Sequence, residues 1–313
     1  MHIQSDSFNL GPAFETFKNS LVTSKIQGFC VSDFQLDKLG CLLGESWLEE
    51  DVFNSLLEFS YFRKAHYIRS CTDKPSSIDC ISNTILLPTS FLTDAHTAYE
   101  ASPAVYTQEI LAIRRRIAST SVQVIAMGQV HENHFTAFIY RQGSLVIEYG
   151  DSMHHPPPHH ILPILQWVFS GVIQHEIKHI RSGVISKQGV RSGAGSCGLA
   201  ALNFIQLAVE TPKGLQPWTG PEARLFRDVA LECLLNFHHL AMQLEGTFTD
   251  WTTKILGDDE ISGSSGMMID DSMATGYSDY NLYMPTVKTL SFLSYKELEL
   301  TLNCVDWPSY LTF

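Results

Sequence analysis

The middle of the chain contains three successive segments with the composition of β-strands, and they constrain the fold most. They are residues 122–130 (VQVIAMGQV), 134–141 (HFTAFIYR) and 144–149 (SLVIEY). All three segments are rich in β-branched or aromatic side chains, as is typical of strands. Because Gln142-Gly143 is a turn sequence between the last two segments, the sequence predicts an antiparallel hairpin at the centre of a sheet.

An ionisable residue lies at the same end of each hairpin strand, His134 on one and Asp151 on the other. If Gln142-Gly143 forms a two-residue turn, His134 faces Asp151 directly, and we expect a four-residue loop to keep that pairing. Opposed Cβ atoms lie about 4.5 to 5.5 Å apart, so the carboxylate can reach the imidazole. On the hairpin alone, two solvent-facing polar residues are the more ordinary interpretation.

A cysteine flanked by glycines, Cys197, follows about fifty residues later in the segment GAGSCG (193–198). Residues 199–210 (LAALNFIQLAVE) have apolar side chains at helical spacing, so Cys197 lies at or just before a helix N-terminus. Backbone N–H groups and the helix dipole favour a thiolate there. The neighbouring glycines allow a substrate backbone to approach, and they argue against the burial usual for free cysteines.

These three residues supply a base, an orienting carboxylate and a nucleophile. An isolated thiol with a pKa of roughly 8.5 is mostly protonated near neutral pH, so it needs an imidazole to take its proton. The imidazole needs an acceptor that fixes its orientation. The sequence therefore predicts a catalytic triad of His134, Asp151 and Cys197.

The order and spacing of the triad resemble those of the ubiquitin-like-protein proteases, the SUMO-specific peptidases related to adenovirus-type cysteine proteases. Residues 129–139 (QVHENHFTAFI) and 148–152 (EYGDS) are similar to the strands that carry the family's His and Asp. Residues 47–59 (WLEEDVFNSLLEF) are similar to its early helix, which opens Trp-Leu-Asn-Asp. The resemblance covers roughly residues 40 to 210.

The resemblance implies roles for four further residues. Trp47 and Phe135 would line a narrow tunnel for the Gly-Gly tail of a substrate, and Gly198 would contact that tail. Gln188 is the candidate oxyanion donor, together with the backbone N–H of Cys197.

The chain departs from the family at two of these positions. Phe135 stands where the family usually has Trp, which removes an indole N–H from the tunnel. The family's oxyanion Gln lies six residues before the cysteine, where this chain has Arg191, and Gln188 lies nine before. Gln188 as a solvated loop residue therefore stays open as an alternative.

Charge and cysteine content indicate an intracellular protein, nuclear and/or cytoplasmic. The net charge of −12 over 313 residues disfavours nucleic-acid partners. No apolar run reaches membrane-spanning length and the first residues do not resemble a signal peptide, so we expect no membrane association. Seven cysteines at scattered positions suit free thiols in a reducing compartment. The oligomeric state stays open.

The histidines do not predict a metal. His131 and His134 lack the HExxH spacing, and on one strand they would point to opposite faces. The prolines in HHPPPHH (154–160) favour a polyproline-like entry into a helix over 161–169. We expect neither a metal nor a cofactor.

We expect an α+β, papain-like cysteine protease fold with a central, mostly antiparallel sheet flanked by helices. The predicted organisation is an N-terminal arm or helix (1–40), a catalytic domain (41–256), a flexible acidic Gly/Ser linker or loop (257–280) and a C-terminal segment (281–313).

The predicted function is cleavage of the peptide or isopeptide bond after the C-terminal Gly-Gly of SUMO or another ubiquitin-like modifier. Three alternatives stay open. They are a same-fold acyltransferase that uses acetyl-CoA, a binding-only pseudoprotease and a viral-type peptidase with its own sequence specificity.

Overall fold

The computed structural model describes residues 17–20, 23–29, 32–71, 83–119, 122–189, 195–209 and 216–255. The predicted linker (257–280) and C-terminal segment (281–313) lie outside these residues, as does Arg191. The division into domains stays a prediction.

The centre of the molecule is a five-stranded sheet with strand order β1-β2-β3-β4-β5. The strands are β1 (Thr84–Leu87), β2 (Val124–His131), β3 (His134–Arg141), β4 (Val146–Gly150) and β5 (His179–Ser182). β2, β3 and β4 pair antiparallel, whereas the outer pairs β1–β2 and β4–β5 are parallel. The sheet is therefore mixed, with the antiparallel pairing at its centre and one parallel strand at each edge.

Helices pack on both faces of this sheet. They are α1 (Glu50–Cys71), α2 (Phe91–Ala101), α3 (Gln108–Ser119), α4 (Ile161–Phe169), α5 (Cys197–Val209) and α6 (Ala223–Ile255), with short 3-10 helices at Leu36–Leu42 and Gly220–Glu222. Across the described residues, no helix combines the length and apolarity needed to cross a membrane.

Alternation along the strands produces two hydrophobic cores, because successive side chains point to opposite faces of a sheet. Ala137 and Ile139 of β3 pack in the core that includes α1, α5 and α6. Phe138 and Tyr140 pack in the core that includes α2, α3 and α4. Cys197 itself belongs to the first core, so the packing that buries α5 also fixes the position of the nucleophile candidate.

The β2–β3 connection is a two-residue turn. Glu132 and Asn133 have φ of 50° and 59°, the left-handed pair that a type I′ hairpin turn requires. His131 and His134 are therefore cross-strand partners at the turn. The interpretation that both belong to one strand is wrong, and His134 is instead the first residue of β3.

The register of the β3–β4 hairpin differs from the predicted one by two residues. Tyr140 pairs with Ile147 and Ala137 with Gly150, so a four-residue loop (142–145) joins the strands. Ser144 bonds Val146 through its side chain, and the Leu145 carbonyl accepts from Lys178, so neither joins the ladder.

Both register expectations for this hairpin are therefore wrong: the turn is not a two-residue one, and the four-residue loop does not keep the direct pairing. An extension of the ladder places Asp151 beside Thr136, diagonal to His134. A shift of two keeps every side chain on its predicted face.

Candidate active site

His134 and Asp151 are in contact, as the sequence predicts. His134 Nε2 lies 2.6 Å from Asp151 Oδ1, with 16% of the histidine side chain and 2% of the aspartate side chain exposed. The contact is made along the diagonal of the hairpin, which long side chains can span. It places an orienting carboxylate on one ring nitrogen and leaves Nδ1 for other chemistry.

The turn after β4 holds Asp151 ionised. Its Oδ1 accepts from the backbone N–H of Met153 at 2.7 Å, and its Oδ2 accepts from that of His155 at 2.9 Å. Burial alone would raise the pKa of Asp151, but the hydrogen bonds from His134 and these two N–H groups hold it below its ordinary value. Burial and the nearby Asp151 charge both raise the pKa of the Tyr149 phenol, which therefore stays neutral.

His134 is correspondingly favoured in its charged form. Burial of the ring opposes the charge, but the hydrogen bond to Asp151 and the proximity of Cys197 together raise the pKa of His134 to about 9. His134 Nδ1 is buried and has no hydrogen-bond partner among the described residues. This ring nitrogen is therefore the one available to exchange a proton with the thiol.

Cys197 is the first residue of α5, as predicted, and the Ser196 carbonyl accepts the first intrahelical hydrogen bond, from Ala200, at 3.0 Å. The backbone N–H groups of the first turn are thus directed towards the start of the helix. Only 1% of Cys197 is exposed, so the expectation that flanking glycines keep it out of the core is wrong.

The glycines next to Cys197 make room for the protein's own chain. A Cβ at Gly198 would lie 2.7 Å from a Leu48 methyl and 3.3 Å from the Phe135 ring. A Cβ at Gly195, where φ is 70°, would lie 2.5 Å from the Glu45 carbonyl oxygen. In this conformation residues 45–48 occupy the space on the Cβ side of both glycines. The substrate-binding role of Gly198 stays a prediction.

The two aromatic residues assigned to the tunnel lie in different environments. Trp47 is 53% exposed, next to the Leu48 that packs on Gly198. Phe135 is 3% exposed and stacks on Phe53, with ring centroids 5.0 Å apart. Trp47 is thus available to a partner, whereas Phe135 supports Gly198 from within the core. Their substrate-binding roles stay predictions.

Gln188 lies beside the carboxylate end of the site. Its backbone N–H donates to the Ser152 carbonyl at 2.7 Å, and its Oε1 accepts from the Ser152 hydroxyl at 3.1 Å. The side-chain NH₂ makes no hydrogen bond with another described residue. Residues 190–194 separate Gln188 from the helix start and lie outside the described residues, so its role at an oxyanion stays a prediction.

The sequence patterns assigned no role in the site to two residues of this region. His155 Nδ1 lies 3.5 Å from Asp151 Oδ2, so His134, Asp151 and His155 form a group that could hold a metal ion. A metal on all three would compete with the 2.6 Å contact of His134 and Asp151. The histidine-rich run signalled His155, but only the turn at His154, with φ of 62°, brings it to the carboxylate.

The second residue is Arg227 on α6, a buried side chain that donates to the Gly195 carbonyl at 2.9 Å. No sequence motif marked it, because a single arginine in an amphipathic helix is most often a solvated one.

Solved structures with a similar fold are SUMO proteases. The C-terminal Ulp1 protease domain from yeast, in complex with Smt3, the yeast ortholog of SUMO, matches with a TM-score of 0.51 and 14% identity, over 72% of this chain and 92% of that chain. The Ulp1-like SUMO protease catalytic domain of Chaetomium thermophilum matches with a TM-score of 0.53 and 14% identity, over 71% and 86%.

No protein-family model matches the chain, and no curated protein matches it either. At this level of identity the likeness establishes the architecture. The chain has the papain-like α+β fold of SUMO protease catalytic domains.

Proposed function

We propose that the protein is a cysteine peptidase that cleaves the peptide or isopeptide bond after the C-terminal Gly-Gly of SUMO or another ubiquitin-like modifier. The observation that carries the proposal is the 2.6 Å contact of His134 with Asp151, with Cys197 near the histidine at the first residue of α5. The similarity to SUMO protease domains supports the choice of substrate class.

Acylation uses all three residues. The Cys197 thiolate attacks the carbonyl carbon of the terminal glycine, and the carbonyl electron pair moves onto oxygen. His134, which has taken the thiol proton on Nδ1, returns it to the leaving amine as the C–N bond breaks. Asp151 stays ionised and holds the imidazolium through Nε2. The products are a thioester on Cys197 and a free amine.

Deacylation repeats the steps with water. His134 takes a proton from the water, whose oxygen attacks the thioester carbonyl, and the C–S bond breaks to release the modifier with a free carboxylate. In both halves the oxyanion needs donors, and we assign the backbone N–H of Cys197 and the side-chain NH₂ of Gln188. The two hydrogen bonds that fix Gln188 on Ser152 support this assignment.

Access to the nucleophile favours a slim, extended substrate. Cys197 is almost fully buried while Trp47 in the adjoining segment is exposed. A Gly-Gly tail has no side chains, so it can enter where a bulkier peptide cannot, and the Trp47 ring offers it an apolar wall. An intracellular location, nuclear and/or cytoplasmic, fits such a substrate and the free cysteines 41 and 197.

The proposal is tested with propargyl probes of SUMO and other ubiquitin-like modifiers on the full chain. We expect a covalent adduct with at least one modifier, located at Cys197 by peptide mapping and lost in Cys197→Ala. The matched control is Cys233→Ala, which removes another buried cysteine and should leave adduct formation unchanged. An adduct that survives Cys197→Ala contradicts the assignment of the nucleophile.

The remaining functions give different results in the same samples. A pseudoprotease would bind a modifier and form no adduct. An acyltransferase would form an acetyl thioester from acetyl-CoA without cleaving any modifier, and a viral-type peptidase would cleave defined peptides instead. Each of these outcomes would overturn the modifier peptidase.

A further inference from the structure

Arg227 is a charged side chain that is buried on α6, a helix of the core that also includes α1 and α5. It is 2% exposed, and no carboxylate among the described residues lies within ion-pair distance of its guanidinium. An unpaired buried charge is costly, so its hydrogen bonds have to offset the loss of water. Nothing in the amphipathic pattern of α6 requires a cation at this position.

The guanidinium bonds three backbone carbonyls instead of a carboxylate. It donates to Cys41 at 2.7 Å, to Ser46 at 2.7 Å and to Gly195 at 2.9 Å, and it lies 3.5 Å from the Ser196 hydroxyl. These carbonyls belong to two stretches that are far apart in sequence. A planar group with five N–H donors is suited to joining several acceptors at once.

Two of the three bonded carbonyls belong to residues that lie just before Trp47 and Cys197. Ser46 immediately precedes Trp47, and Gly195 and Ser196 immediately precede Cys197. The two stretches also touch each other, since a Cβ at Gly195 would lie 3.0 Å from the Ser46 carbonyl oxygen. Arg227 therefore holds the segment before Trp47 against the loop before Cys197.

Arg227 also brings a positive charge to the residues that precede Cys197. Its guanidinium lies 2.9 Å from the Gly195 carbonyl oxygen and 3.5 Å from the Ser196 hydroxyl. A cation close to a buried cysteine favours the thiolate over the thiol. Arg227 thus provides a second positive charge near the thiol, from a different element than His134.

We propose that Arg227 is a positioning residue of the active site, which sets the peptide before Cys197 and the segment before Trp47 and favours the thiolate by its charge. This inference rests on the proposed peptidase function. It separates two contributions of one side chain, the three carbonyl hydrogen bonds and the positive charge.

Two substitutions separate these contributions in the full chain. Arg227→Met removes both, whereas Arg227→Lys keeps the charge but cannot hold three carbonyls in one plane. The control is Arg224→Met on the same helix, where the native arginine is partly exposed and pairs with Asp228 at 3.3 Å. Circular dichroism checks folding, mass spectrometry follows iodoacetamide alkylation of Cys197 from pH 6 to pH 9, and modifier cleavage gives kcat and KM.

We expect Arg227→Met to alkylate about tenfold more slowly at pH 7. Arg227→Lys should keep the wild-type alkylation profile and lose about tenfold in kcat. Arg224→Met should match the wild type in both measurements. If Arg227→Met does not fold, Arg227→Lys alone decides, since a wild-type kcat in that variant refutes the carbonyl role.

A folded Arg227→Met protein with the wild-type alkylation profile and kcat overturns the inference. Failure of the proposed function has a different signature: the wild-type protein would cleave no modifier. In that case the alkylation profiles of the wild type and Arg227→Met still decide whether Arg227 favours the thiolate.

Discussion

His134 is charged at neutral pH because an ionised carboxylate is held against it. Asp151 accepts hydrogen bonds from the ring and from two backbone N–H groups, so its pKa is lowered while that of His134 is raised to about 9. The contact therefore stabilises the fold above the ordinary pKa of the carboxyl and below about pH 9. It weakens as acid protonates Asp151 or as alkali deprotonates His134.

The loss of activity at alkaline pH, the alkaline limb of the pH–rate profile, should depend on the contact between His134 and Asp151. We expect kcat/KM for modifier cleavage to fall as pH rises through about 9, where the imidazolium that protonates the leaving amine is lost. Asp151→Asn should move the limb to lower pH, because the neutral amide no longer favours the charged ring. A pH–rate profile from pH 5 to pH 10 measures both, and an unmoved limb in Asp151→Asn contradicts the assignment.

Gly198 is required by packing as well as by its position next to the nucleophile. We expect Gly198→Ala to destabilise the fold by about 1 to 3 kcal/mol, because the new methyl overlaps Leu48. Combining it with Leu48→Ala should cost less than the two single changes together, since the smaller side chain accommodates the methyl. Urea unfolding of the four proteins measures this coupling.

Gly44→Ala serves as the control for that series, because a Cβ at Gly44 would meet nothing within 4 Å. Additive single changes would show that Leu48 and Gly198 are not in contact.

At the level of elements, the sequence predicted which segments form strands and helices better than it predicted how the strands pair. The bounds of β3 and the start of α5 at Cys197 agree with the prediction. Both could be predicted because strand composition, apolar periodicity and a glycine loop are local signals. The β3–β4 register was missed because Leu145 bonds Lys178, a residue far along the chain. The burial of Cys197 was missed for the same kind of reason, since Leu48 comes from a distant segment.

The four-residue loop gives an unusual test of register. Deleting Leu145 shortens the loop by one residue, and a slip of one would turn every β4 side chain to the opposite face. Deleting Ser144 and Leu145 together leaves a two-residue loop. The β4 side chains then keep their faces, and Asp151 stays on the same face as His134. We expect the single deletion to lower the Tm and abolish activity, and the double deletion to retain more of both.

Calorimetry and probe labelling compare these variants. Equal losses from the one-residue and two-residue deletions would show that the loop contacts, and not the register, determine the outcome.

At the scale of the whole molecule, the described residues between Phe17 and Phe34 pack against α6 and the core to which it belongs. The Gln27 N–H donates to His238 on α6 at 3.0 Å, and Phe17, Ile26 and Phe34 lie in the main core. These contacts are hard to foresee, because residues 1–40 show no clear periodicity. They connect the segment predicted to be an arm with the core that supports Cys197.

Ile26→Ala tests whether this segment is part of the folding unit. Ile26 is 4% exposed, so we expect a loss of about 2 to 5 kcal/mol in the free energy of unfolding. The control Val105→Ala changes a side chain that is 63% exposed and should stay within about 0.5 kcal/mol. Chemical denaturation measures both, and an unaffected Ile26→Ala protein would indicate an independent arm.

The burial of Cys197 makes the width of the entrance a property that can be measured. With 1% of the residue exposed, reagents of equal intrinsic reactivity but increasing cross-section must alkylate it at decreasing rates. The size at which reaction stops gives the aperture of the site in solution. The same aperture sets which covalent inhibitors can enter, so a warhead on a thin linear stem suits this protein better than one on a branched scaffold.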